Sequence, residues 1–261
     1  MRYYQLLCLQ RERDVSIDGL TLRVSLPPES ERHIIENDVQ LLNHVAPQHV
    51  FFFSGGGSIL INGRYLLAVR REASARINPG QLSLFTGRSD GPHEWRAPEK
   101  IVREFFEELL LYRDGRPAIP ECPEFQSEIN QVYSKFKDIS YSTFRASLTV
   151  LKPARPYYVE LYENQKLSAK THCYWTINPR GEINLFYLFD AQLDIQSFSA
   201  QDGELRRDIV VLDCATERQG EMLNHQWPSE WSSWNRSLFS TNLSWLLEQM
   251  NIDKGDLWLK K

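Results

Sequence analysis

Residues 103–108 read Arg103-Glu104-Phe105-Phe106-Glu107-Glu108, a run in which three carboxylates flank two aromatic rings. On a helix, Glu104 lies beside Glu107 and Glu108. Phe105 falls on a separate apolar stripe with Ile101 and Leu109. Like charges at this spacing cost about 0.2–0.5 kcal/mol per pair on a bare helix, so a cation among them would explain the cluster. Oxygen ligands suit hard divalent ions, and the pattern predicts a Mg²⁺ or Mn²⁺ site.

The same run has a plainer interpretation as a solvated charged face, on which Arg103 and Glu107 form an i,i+4 pair. The upstream sequence favours the metal site. Tyr65-Leu66-Leu67-Ala68-Val69-Arg70-Arg71 is typical of a strand, and residues 79–87 contain two glycines that indicate turns. The carboxylate helix therefore follows a strand and a glycine-bearing loop.

Together these segments resemble the Nudix box, whose core reads Arg-Glu-apolar-any-Glu-Glu, and all five specified core positions match. The wider box, around residues 87–111, is degenerate. In strict register Ser89 and Leu110 stand at glycine positions and Trp95 stands at a glutamate position. Gly87 and Glu94 fit these positions only if one or two residues are inserted. The resemblance covers roughly residues 50–215.

The resemblance implies an α/β fold, a Nudix-like α/β/α sandwich with a mixed central sheet. It also implies metal-dependent hydrolysis of a diphosphate linkage in a nucleoside diphosphate joined to another moiety, such as a nucleotide sugar, a dinucleotide or a nucleoside triphosphate. Glu104, Glu107 and Glu108 would be metal ligands, and the Gly87 carbonyl would add one from the loop. Arg103 would orient the carboxylates, so the expected catalytic group is Arg103, Glu107 and Glu108.

A further acidic ligand is expected in the loop before Ile209-Val210-Val211-Leu212-Asp213, because the resemblance places one there. Glu204 is the candidate metal ligand, with Asp202 behind it in the same loop. If Glu204 lies far from the metal, Asp202 or Glu160 is the next candidate. An ordinary acidic loop residue is the alternative interpretation of Glu204. The general base stays open between Glu204 and Glu108.

A function of another class also fits the sequence. Ser89, Trp95 and Leu110 depart from the box, and these departures favour a Nudix-fold module that binds a nucleotide or regulates a partner with weak or no turnover. Measuring divalent-dependent hydrolysis separates the two functions.

Composition limits the partners that we expect. The net charge of the 261-residue chain is −4 and no lysine or arginine block stands out, so nucleic acid is not an expected partner. No run of 18 apolar residues and no signal peptide is found, which predicts a cytoplasmic protein without a membrane partner. The four cysteines are far apart and predict neither zinc nor disulfides. A nucleotide-like small molecule is the expected substrate.

We expect a single domain over residues 1–261, with an N-terminal extension over 1–49. This extension should hold a hairpin at Asp18-Gly19 and a helix from about residue 29 to 45. It could cover a sheet edge or form a homodimer contact. The Nudix-like core should span 50–215, with an insertion at about 112–180, and a helical extension should follow over 216–261.

Within the core, Val50-Phe51-Phe52-Phe53 predicts a strand that Gly55-Gly56-Gly57 breaks, and Asn62-Gly63 predicts a second hairpin turn. The triple glycine lacks the lysine of a phosphate loop and indicates a bulge or a close strand approach. The carboxylate helix should run from about Pro98 to Leu111, and residues 113–123 should form a loop.

Further elements are expected after this loop. They are a helix from 126 to about 137, strands at 147–150, 157–161, 173–177, 183–189 and 209–213, and a helix at 241–250 capped by Ser240 or Thr241.

Overall fold

The structure is a computed structural model of the chain. It describes residues 6–35, 47–71, 73–74, 79–87, 98–113, 116–134, 142–153, 155–178, 181–192, 198–202, 208–213, 218–222, 232–233 and 239–254. Strands dominate these residues, and helices are few, so the protein is of the mixed α/β class.

The strands have the following bounds: β1 Leu6–Gln10, β2 Val15–Asp18, β3 Thr21–Leu26, β4 His33–Ile35, β5 His49–Ile61, β6 Tyr65–Arg70, β7 Leu82–Ser83, β8 Phe85–Gly87, β9 Leu109–Arg113, β10 Arg116–Glu121, β11 Ser142–Arg145, β12 Ser147–Leu151, β13 Tyr158–Glu163, β14 Lys166–His172, β15 Tyr174–Ile177, β16 Glu182–Gln192, β17 Phe198–Asp202, β18 Asp208–Asp213, β19 Arg218–Met222 and β20 Ser232–Ser233. The α-helices among the described residues are α1 Arg11–Asp14, α2 Pro98–Glu108, α3 Gln126–Tyr133 and α4 Thr241–Lys254. Short 3-10 helices cover Glu29–Glu31 and Pro123–Phe125.

Backbone contacts divide the chain into two compact units built from alternating segments. The first unit comprises Met1–Gly56, Thr86–Lys100 and Lys152–Tyr187. The second comprises Gly57–Phe85, Ile101–Leu151 and Leu188–Lys261. The single domain with a core over 50–215 remains a prediction.

The first unit contains a sheet with the strand order β14-β13-β3-β2. Strands β13 and β3 are parallel, and the other two pairs are antiparallel. The Asp18-Gly19 hairpin is confirmed, since β2 pairs with β3 and Gly19 has φ +58°. One face of the sheet is apolar and buried: it carries Leu22, Val24, Val159 and Leu161.

A second set of paired strands in the first unit explains why position 55 is a glycine. Strand β1 pairs with β4 and with the start of β5, and β15 pairs with residues 183–186 of β16. Strand β5 continues through Gly55-Gly56-Gly57, so the expected break is wrong. A Cβ atom on Gly55 would overlap the backbone carbonyl of Leu185. The expected close approach of two strands is therefore confirmed at Gly55.

In the second unit, β6 lies between the end of β5 and β18, and β18 continues to β19 and β20. Residues 188–192 of β16 pair with β12. A separate sheet has the order β11-β10-β9-β17, in which β10 and β11 are parallel. Helix α4 begins as expected after Ser240, whose Oγ accepts the Leu243 N–H at 3.3 Å.

Three expected elements are corrected by strand pairing. Helix α2 ends at Glu108 instead of Leu111, because residues 109–113 form β9 between β10 and β17. The expected loop at 113–123 contains β10, whose Ala118 and Pro120 alternate inward. The expected helix from 29 to 45 is wrong over His33–Ile35, which pairs with β1; residues 36–46 lie outside the described part.

Candidate functional site

The sequence explains both where helix α2 begins and which of its side chains are buried. Pro98 occupies the first position, where a missing backbone N–H leaves no helical hydrogen bond unmade. Glu99 places a negative charge in the first turn, next to the positive end of the helix dipole. From residue 101 onward the apolar side chains are buried: Ile101, Val102, Phe105 and Phe106. The amphipathic helix predicted from the sequence is therefore present.

Phe105 holds the orientation of this helix in the second unit. Its side chain is fully buried, with 0 % of its surface exposed. The ring makes edge-to-face contacts with Phe85 at 5.1 Å and with Phe189 at 5.2 Å between centroids. Rotation of α2 about its axis would break both contacts, so the opposite side of the helix is fixed as well.

That opposite side carries the predicted ligands. Glu104 and Glu107 are half-buried and lie at i,i+3 spacing on α2, which places their side chains on neighbouring positions. Arg103 is also half-buried, and all three residues take part in polar interactions within the protein. Glu108 is the last residue of α2, and its side chain lies outside the described part of the structure.

Carboxylate oxygens such as those of Glu104 and Glu107 are ligands that hard divalent cations prefer. Among the described residues, no group of three His, Cys, Asp or Glu side chains is arranged to hold a metal ion. Glu104 and Glu107 occupy neighbouring positions on the described helix, and a metal site formed by them with Glu108 stays a prediction.

The remaining predicted ligands belong to, or follow, other strands. Gly87 ends β8, two residues after the buried Phe85 that contacts Phe105. Asp202 is the last residue of β17 and lies opposite Leu109, the residue that follows Glu108. The predicted ligand Glu204 lies outside the described residues.

Glu160, a later candidate ligand, has a different role. Its buried carboxylate accepts hydrogen bonds from Lys170 Nζ at 2.7 Å, Arg23 Nε at 3.0 Å and the Tyr162 hydroxyl at 3.1 Å. The hydrogen bond from Lys170 lowers the pKa of Glu160 most, and the hydrogen bond from Arg23 lowers it next. These bonds join β13 to both neighbouring strands, so Glu160 stabilises the sheet and is not available as a metal ligand.

Buried groups in the first unit form a second cluster that the sequence did not indicate. Burial raises the pKa of the Cys173 thiol to about 12. Burial is also the main cause that raises the pKa of the neighbouring Tyr187, and the nearby charge of Glu99 raises it further. Cys8 is half-buried and Cys122 is buried, like Cys173. A thiol with so high a pKa is a poor nucleophile.

Comparison with known proteins adds no relative: no family model matches the chain, and neither the curated proteins nor the solved structures include a match. No helix in the described part of the chain is long and apolar enough to cross a membrane.

Proposed function

We propose that the chain is a Nudix-type pyrophosphohydrolase that uses Mg²⁺ or Mn²⁺ to cleave a diphosphate linkage. The substrate would be a nucleoside diphosphate joined to another moiety, handled in the cytoplasm. The observation that carries the proposal is the geometry of α2, where the buried Phe105 fixes the helix and Glu104 and Glu107 lie together on its half-buried side. The wider fold is proposed to be the α/β/α sandwich of that family.

The register beside the end of α2 supports the proposal independently of the motif. Asp202, the last residue of β17, pairs with Leu109, the residue that follows Glu108. In an antiparallel pair, the chain that leaves Asp202 points toward the residues that precede Leu109. Glu204 would then approach the carboxylates of α2 from the side, and a fourth carboxylate would help to hold more than one cation around a diphosphate.

In this mechanism Glu104, Glu107, Glu108, Glu204 and the Gly87 carbonyl would hold the metal. The bound cation would neutralise charge on the diphosphate and acidify the attacking water. Arg103 precedes Glu104 on α2 and would orient the carboxylates by pairing with them. Glu108 or Glu204 would accept the proton of the water, as the general base.

The test compares Glu107→Gln with Glu128→Gln, which changes a half-buried glutamate on α3. Hydrolysis is measured with Mg²⁺ or Mn²⁺ on a panel of dinucleotides, nucleotide sugars and nucleoside triphosphates. Loss of a ligand charge should reduce turnover by about a hundredfold or more, since the metal supplies several kcal/mol. Mn²⁺ binding, followed by its electron paramagnetic resonance signal, should weaken in parallel. Near-full turnover of Glu107→Gln at saturating metal contradicts the assignment.

The second candidate function is a Nudix-fold module that binds a nucleotide without turning it over. The observation that favours it is Leu110, which stands at a glycine position of the box and lies within β9. A strand replaces the turn that glycine would allow. Wild-type protein that binds members of the panel in calorimetry, but hydrolyses none of them with either metal, would establish this function and exclude the enzyme.

A further inference from the structure

A groove in the first unit lies away from α2 and has a mainly apolar wall with one cation. Its volume is about 510 Å³, and its lining residues are Arg11, Val15, Ile17, Ile177 and Asn178. Volumes of this size accommodate a peptide side chain or a small ligand. The Asn178 side chain is already used, since it bonds to Glu182. The groove therefore offers apolar contact and the Arg11 guanidinium.

The strand that forms one wall has an open edge. Among the described strands, β2 is the last in the order β14-β13-β3-β2. Asp18 and Thr21 flank the two-residue turn at Gly19, and such a flanking pair exchanges both of its hydrogen bonds. The next residue, Ile17, must then direct its own backbone N–H and C=O away from β3, toward the groove side of the sheet edge.

The apolar layer of the sheet is also left open at this edge. Ile17 lies opposite Leu22, and the two side chains share one face of the sheet. Leu22 is fully buried, whereas 57 % of Ile17 is exposed. Strand β15 is held under the same hairpin by the Trp175 indole N–H, which donates to the Leu20 carbonyl at 2.8 Å. Ile177 at the end of β15 then forms the other wall of the groove.

Charge indicates the chemistry of the occupant. Arg13 pairs with Asp14 at 2.6 Å, and Arg23 pairs with Asp18 and Glu160. Arg11 is exposed, and no described carboxylate lies within ion-pair distance of its guanidinium. An extended chain that pairs with Ile17 would satisfy its backbone groups, and an acidic side chain on that chain would reach Arg11.

We propose that the β2 edge is a docking site for an extended acidic peptide segment of another protein, which adds a strand to this sheet. The added strand places one apolar side chain against Val15, Ile17 and Ile177. It places a carboxylate against Arg11. Backbone hydrogen bonds supply affinity in this mode of recognition, and the pocket and the cation supply specificity.

The test uses the full-length chain and two labelled peptides, one of alternating valine and glutamate and the other of alternating valine and lysine. Fluorescence anisotropy should show binding of the glutamate peptide only. Arg11→Glu should weaken binding about tenfold or more, as loss of a charge-assisted bond does. Ile17→Pro should abolish it, because proline removes the outward N–H while keeping the bonds to β3.

A matched pair of surface variants separates the groove from general stickiness. Leu167 is 52 % exposed on β14, the strand at the other end of the same sheet. Ile17→Ser should weaken peptide binding, whereas Leu167→Ser should not change it, and both variants should remain folded by circular dichroism. This pair keeps the test decisive even if Ile17→Pro does not fold.

Several results would overturn the proposal. One is that the glutamate peptide shows no binding at concentrations up to about 1 mM, where even weak complexes form. Equal binding of the two peptides, or equal effects of the two serine variants, would refute the role of Arg11 and Ile17. Dimerisation in sedimentation velocity that Ile17→Ser removes, without peptide binding, would instead identify a second copy of the chain as the occupant.

Discussion

Replacing Phe105 by alanine should destabilise the second unit strongly, because this side chain fixes the rotation of α2. The ring is fully buried and makes edge-to-face contacts with Phe85 and Phe189. Phe125 also contacts Phe189, so the cavity left by the substitution would open inside a cluster of four rings. The remaining rings hold one another in place, so they cannot move far enough to fill the cavity.

The magnitude follows from burial and ring contacts. Truncation of a buried phenylalanine costs roughly 3–5 kcal/mol. Each edge-to-face pair adds about 0.5–1.5 kcal/mol beyond its buried area, and two such pairs are lost. We therefore expect a loss in the upper half of that range, about 4–5 kcal/mol in the free energy of unfolding.

The assay is urea denaturation followed by tryptophan fluorescence and by circular dichroism. Leu167→Ala, at a position that is 52 % exposed, is the control, and surface changes of this kind stay within about 0.5 kcal/mol. A loss below about 1 kcal/mol for Phe105→Ala would show that the ring is not buried. It would refute the orientation of α2, and with it the shared position of Glu104 and Glu107.

Gly55→Ala should prevent folding of the first unit or cost several kcal/mol, because the new methyl group would overlap a backbone carbonyl of β16; the yield of folded protein and its melting temperature measure this. The pKa of Glu160 is lowered first by Lys170 and then by Arg23, so its stabilising contribution is present above the ordinary value of 4.5 and is lost as the pH falls through the lowered pKa. Glu160→Gln should therefore flatten the decline in melting temperature as the pH falls below about 4.5, and an unchanged decline would contradict this. Cys173 should resist iodoacetamide at about pH 8 until the chain is unfolded, because burial raises its pKa to about 12, and labelling in the native protein, detected by mass spectrometry, would refute its burial.

The candidate site was predictable in part. The helical spacing of Glu104, Phe105 and Glu107 places their side chains correctly, since neighbours three or four positions apart are set by local geometry alone. The end of α2 was not predictable. Residues 109–111 continue the apolar pattern of the helix, yet all three pair with β17 as a strand, and Leu111 also pairs with β10. The partner β17 is distant along the chain, and a local pattern carries no information about it.

The sequence alone determined the local features of the backbone, such as turns, which depend on only a few neighbouring residues. Gly19, Asn62 and Gly63 adopt positive φ in the expected hairpin turns, because few other residues reach that conformation at low cost. Tertiary structure decided which distant segments meet. It brought Asp202 opposite Leu109, set Gly55 against β16, and surrounded Glu160 with Lys170 and Arg23. These contacts join residues whose separation along the chain leaves their pairing to the packing of whole sheets, so no local propensity could specify them.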